Sequence, residues 1–183
     1  MPALLVFYIF STDKILILII IALLLSCAGD ILLIFKDKQI FFRLGLVAFL
    51  ACHVFYIIAF LLLTRSFNYL VLVISVVIAV PAIFFIIKLL KAVKGMRRPV
   101  IIYAVVIMLM SMSALQLMLS QPGFGTILLF IGSVIFLFSD SLMAYLMFHG
   151  KPKHYNFITM LPYIIAQGCI IMGLVLKLRV INA

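Results

Sequence analysis

The chain has 183 residues, 69% of them hydrophobic and 10% charged, with a mean hydropathy of +1.48 and a net charge of +10. Soluble domains carry about a quarter charged residues, so this composition excludes a water-soluble globular protein and leaves no stretch polar enough for a separate soluble domain. The positive charge does not point to nucleic acid, because the basic residues sit at the ends of apolar runs without an aromatic-basic platform.

Pro2 to Phe10 is apolar but shorter than the ~20 residues a spanning helix needs, which predicts a short or tilted first helix opened by proline. Ser11-Thr12-Asp13 then supplies N-cap residues, and Lys14 to about Phe35 is predicted to be a full span ending in Lys36-Asp37-Lys38. The third segment, Gln39 to about Leu63, carries His53 and Tyr56. The fourth, Tyr69 to about Leu90, contains Pro81, which predicts a kink, and it runs into Lys88, Lys91, Lys94, Arg97 and Arg98. Pro99 opens the fifth, with Tyr103, Ser111, Ser113 and Gln116, before the Gln121-Pro122-Gly123 turn. Gly125 to about Phe148 carries Ser139 and Asp140, and the last segment, about Asn156 to Leu176, carries Tyr163 and Gln167. The expectation is an all-α polytopic bundle of about seven segments, residues 1–183 forming one transmembrane domain.

Assigning connections to alternate sides puts Lys36, Lys38, Arg43, Lys88, Lys91, Lys94, Arg97, Arg98, Lys151 and Lys153 on one side, against Lys14, Arg65, Lys177 and Arg179 on the other. The positive-inside rule makes the first side cytoplasmic, with the N-terminus in and the C-terminus out.

Two acids stand out. The chain has four acidic residues, all Asp; Asp13 and Asp37 fall in short polar connections, whereas Asp30 and Asp140 fall inside apolar runs. An intramembrane carboxylate costs on the order of 3 kcal/mol even on lenient scales, so it is kept where a cavity or partner receives it. Counting helical rise from the segment ends puts Asp30, Tyr103, Asp140 and Tyr163 in the cytoplasmic third, with His53, Tyr56 and Gln167 nearer the midplane. His53 and Tyr56 share a helix face, as do Tyr163 and Gln167. Several helices thus aim polar groups at one depth, which predicts a pocket in the cytoplasmic half. The three cysteines, Cys27, Cys52 and Cys169, lie in apolar runs without Cys-x-x-Cys spacing and read as packing residues. His53 is the only histidine inside a segment, so a multi-histidine metal site is not expected.

These residues carry a resemblance. Gly29-Asp30, the run Phe42-x-x-Gly45-x-x-x-Phe49-x-x-x-His53-x-x-Tyr56, Gly132-x-x-x-Phe136-x-x-Ser139-Asp140-x-x-x-Ala144, and Tyr163-x-x-Ala166-Gln167 together resemble the YhhN family over nearly the whole chain. Pro2 looks like the proline that opens the family's second helix, so the chain departs from the usual eight-helix pattern at its start. The family's characterised animal members are lysoplasmalogenases, and the resemblance therefore implies hydrolysis of a lysolipid vinyl ether to a fatty aldehyde and a glycerophospho-base. It implies Asp30, Asp140 and His53 as catalytic residues, and Tyr56, Tyr103, Ser139, Tyr163 and Gln167 as substrate-binding ones. One carboxyl would act as general acid and the other, ionised, would stabilise an oxocarbenium ion, with His53 orienting or activating water. No cofactor or metal is called for, and the partners expected are the lysolipid and membrane lipids in a bacterial inner membrane. A proton-linked transporter or lipid-binding protein is the other reading of intramembrane Asp and His.

Overall fold

The computed structural model describes residues 1–12, 14–35, 39–71, 73–74, 76–77, 80, 97–150 and 152–180; of 97, 98, 147–149 and 180 it describes the backbone alone. Among these are six helices and no strand: α1 (Pro2–Ser11), α2 (Ile17–Ile34), α3 (Gln39–Leu63), α4 (Arg97–Ser120), α5 (Phe124–His149) and α6 (Tyr155–Val180). The five helices α2 to α6 are long and apolar enough to cross a bilayer, which makes the chain a multi-pass membrane protein. α1 is short, as its sequence predicts, and starts on proline. The fourth expected segment and the kink at Pro81 lie largely outside the described residues; those described at 70, 71, 73, 74, 76, 77 and 80 are helical.

Two boundaries differ from expectation for identifiable reasons. Ser11 and Thr12 do not cap α2. Ser11 is the last residue of α1, and the Thr12 hydroxyl donates back to the Tyr8 carbonyl at 2.7 Å. The chain then runs on to Leu16, whose N–H donates to the Tyr8 hydroxyl at 3.0 Å, so α2 begins at Ile17 with no side-chain cap. At the other end α6 continues past Leu176 to Val180, placing Lys177 and Arg179 in its last turn, where cations oppose the helix dipole favourably. α6 also holds Pro162 in its interior, which a membrane helix tolerates where neighbours support the freed backbone.

Hydrogen bonds fix which ends lie together. Arg179 Nε donates to Ser11 O at 2.9 Å, Gln121 Nε2 to Leu63 O at 2.5 Å, Lys177 Nζ to Gln121 Oε1 at 2.5 Å and Gln116 Nε2 to Ser66 O at 2.7 Å. The ends of α1, α3, α4 and α6 and the starts of α2 and α5 therefore share one end of the bundle, here the far end. Ile34, Gln39, Arg97 and His149 mark the near end. α3 and α4 both run toward the far end.

Side-by-side packing follows small residues. α5 and α6 are in closest contact: a Cβ added to Gly173 would sit 2.5 Å from Gly125 O, and one added to Gly132 would sit 2.8 Å from Ile170 N. This is the small-residue packing that lets membrane helices approach backbone to backbone where lipid supplies no hydrophobic drive. α2 meets α3 differently, each glycine receiving a side chain of the other helix, with the Phe49 ring over Gly29 and Leu33 over Gly45. α4 bridges α3 and α5, while α1 contacts both α2 and α6. Among the described residues no Cα of α2 comes within 8 Å of one of α6, so these two helices are joined by side chains.

Candidate active site

Asp30 lies one turn before the near-end terminus of α2, and Asp140 lies on α5 about two and a half turns before its own near-end terminus. α2 and α5 run in the same direction, from the far end to the near end, and both residues reach the same cleft. They line one cleft with Tyr103 of α4, Ser139 of α5 and Tyr163 of α6, rimmed by Leu33, Met143 and Met160. The open space inside is about 30 Å³, room for a water or two. Asp140 is 8% exposed.

Each carboxyl faces a tyrosine. The Tyr103 hydroxyl donates to Asp140 Oδ2. The Tyr163 hydroxyl interacts with the Asp30 carboxyl and hydrogen-bonds Ser26 Oγ at 2.7 Å. Behind Tyr163 a buried polar layer continues: Gln167 Nε2 donates to Ser26 Oγ at 3.3 Å, and the Tyr56 hydroxyl donates to Gln167 Oε1 at 2.8 Å. This layer ties α6 to α2 and α3 across the seam that its backbone leaves open toward them. Ser139 Oγ donates to Thr159 O at 3.3 Å, in the turn of α6 just before Pro162, so it both lines the cleft and supports that turn.

His53 stands one layer behind. Its Nδ1 hydrogen-bonds Phe49 O at 2.5 Å; because a carbonyl oxygen only accepts, Nδ1 carries the proton. Nε2 is buried and has no hydrogen-bond partner among the described residues. The imidazole meets Tyr103 at a centroid distance of 5.5 Å and Phe136 at 4.8 Å, and Tyr163 meets Phe136 at 5.5 Å and Phe49 at 5.8 Å, all edge to face. These rings form a continuous aromatic wall that sets the two tyrosines, and through them the two carboxyls, at fixed positions.

The sequence-selected residues thus fall into two sets. Asp30, Tyr103, Ser139, Asp140 and Tyr163 line the cleft, whereas His53, Tyr56 and Gln167 form the layer beneath it. Ser26 was not singled out by the sequence reading, although it sits four residues before Asp30 on the same helix face, a spacing that marks it. The aromatic partners Phe49 and Phe136 belong to the same motifs but carry no polar signal of their own. Among the described residues no group of three His, Cys or Asp side chains is placed to hold a metal ion.

A family model described as the YhhN family matches residues 1–174. No curated protein and no solved structure matches the chain.

Proposed function

The chain belongs to the YhhN family, and from that premise we propose that it is a membrane-embedded hydrolase cleaving the vinyl ether bond of lysoplasmalogen-type lysolipids. The observation that carries the reading is the convergence of Asp30 and Asp140, from helices whose backbones pack with different partners, on one cleft with a tyrosine at each.

The chemistry requires an acid and an anion. One carboxyl gives its proton to the vinyl ether carbon β to the oxygen, the one that bears the alkyl chain, and the other, ionised, faces the resulting oxocarbenium ion. Water adds to the cationic carbon and returns a proton to the carboxylate, giving a hemiacetal. The bond from that carbon to the glycerol oxygen then breaks, the hydroxyl proton leaves as the carbonyl forms, and the departing oxygen is protonated. The products are a fatty aldehyde and a glycerophospho-base. Tyr103 and Tyr163 position the carboxyls, and His53 Nε2, which has no hydrogen-bond partner among the described residues, is assigned to the attacking water. The rim residues Met143, Met160 and Leu33 are flexible apolar side chains suited to yielding to an alkyl chain.

In this reading the near end faces the cytoplasm of a bacterial inner membrane, in keeping with the basic residues on that side. The decisive experiment is a mass-spectrometric search for products released by the purified protein from a panel of vinyl ether, alkyl ether and acyl lysolipids. Aldehyde from the vinyl ether substrate alone is expected. Fatty acid from the acyl lysolipids without aldehyde from the vinyl ether would replace this reading with an esterase.

A further inference from the structure

A second cavity lies at the far end of the bundle and shares no residue with the cleft. Its space is about 180 Å³, six times that of the cleft, and its wall is formed by Leu16, Leu18, Ala59, Leu62 and Leu178 among others, from the start of α2 and the ends of α3 and α6. Among the described residues Lys14 is the one charged residue lining it. Ala59 lies one turn beyond Tyr56 on α3, so the buried Tyr56–Gln167–Ser26 layer separates the two spaces. An apolar cavity of ~150 Å³ stays dry and takes a benzene-sized molecule, so this one has room for about six carbons of an alkyl chain.

Among the described residues the charges at this end are all cations. Arg65 and Lys177 stand close enough to repel each other, and Arg179 caps the same end. Against these four cations the sequence places one acidic side chain in the far-end connections, Asp13, which lies outside the described residues. Lys177 and Arg179 use their side chains on Gln121 and Ser11, but Lys14 makes no ion pair with any described residue. An apolar space with a cation at its edge is complementary to an amphiphile whose head is an anion.

We propose that this cavity binds a single-chain amphiphile with an acidic head, its first carbons among the leucines and its carboxylate or phosphate on Lys14. The site is separate from the hydrolytic cleft and does not depend on the activity assigned there.

The chain contains no tryptophan, so one introduced indole reports on one place. Leu62 is 73% exposed and lines the cavity, which makes Leu62→Trp a mild change there. The purified variant is titrated in detergent with brominated dodecanoic acid, brominated dodecyl phosphate and brominated dodecanol, whose bromines quench tryptophan on contact. The acidic chains are expected to quench saturably, and adding Lys14→Gln should weaken them by ~5-fold while leaving the alcohol unchanged. Adding Ala59→Leu, which fills the cavity, should abolish the saturable component. The acid and the phosphate ester together show which head Lys14 prefers. Equal quenching by acid and alcohol in the Leu62→Trp protein would overturn the proposal. So would a linear response like that of a control tryptophan at the lipid-facing Leu161, which means partition into the micelle only. Should Ala59→Leu fail to fold, the surface substitution Lys14→Gln still decides the matter.

Discussion

At the scale of the residue, the informative feature is that Asp140 is buried beside a tyrosine hydroxyl in a segment built for lipid. Asp140→Asn keeps the acceptor that Tyr103 bonds and the side-chain volume, but removes both the acid and the anion. Aldehyde release should fall by at least ~100-fold, the usual share of general acid catalysis, while thermal unfolding stays close to that of Ser120→Ala, a far-end control. Full activity in a folded Asp140→Asn protein would take Asp140 out of the mechanism. The layer beneath behaves differently. Tyr56→Phe leaves Gln167 Oε1 buried without its donor, so stability should drop by about 1 kcal/mol in detergent unfolding, the range of buried interhelical hydrogen bonds. That Asp30 and Asp140 need a receiving cavity was legible from the sequence, because two carboxyls in apolar runs are costly wherever they sit. Ser26 was not, because a serine in a membrane helix carries no such cost, and its role depends on where Tyr163 and Gln167 of a distant helix arrive.

At the scale of the element, glycine decides how closely helices approach, and two glycines of α6 make opposite predictions. A Cβ at residue 173 would meet Gly125 O at 2.5 Å and Leu129 N at 2.7 Å, both backbone atoms that cannot step aside. Gly173→Ala must therefore push α5 and α6 apart, and thermal unfolding should show a loss of ~1–3 kcal/mol, as for overpacked cores. A Cβ at residue 168 would meet nothing within 4 Å. Gly168→Ala should leave stability unchanged or raise it by about 0.5–1 kcal/mol through helix propensity. Equal effects of the two substitutions would contradict the contact. Hydropathy showed where the membrane helices lie, but not their terminal turns. The start of α2 is set by Tyr8 reaching Leu16, a contact across the turn that local capping rules do not contain, and the continuation of α6 to Val180 rests on Lys177 and Arg179 finding partners at the far end.

At the scale of the whole molecule, the alternation of basic residues and the observed grouping of helix ends agree on two unlike faces: Lys14, Arg65, Lys177 and Arg179 all belong to the far end. Reporter domains fused at Gly150 should read as cytoplasmic and those fused after Val180 as external; a cytoplasmic C-terminus would mean that the number of crossings is even or the orientation reversed. The depth of the site could be counted from sequence alone because helical rise is constant. The shared depth also predicted a pocket, but which of the polar residues line it and which, like His53, stand behind it depends on which helices become neighbours. The two helix pairs also bear on how the protein is made. α2 with α3, and α5 with α6, each bring their own glycine-mediated contact, so each pair can assemble as it leaves the ribosome. Asp30 belongs to the first pair and Asp140 to the second. A half-synthesised chain in the bilayer therefore holds one of the two intramembrane carboxyls and no cleft, and the cleft is complete only when the second pair has docked.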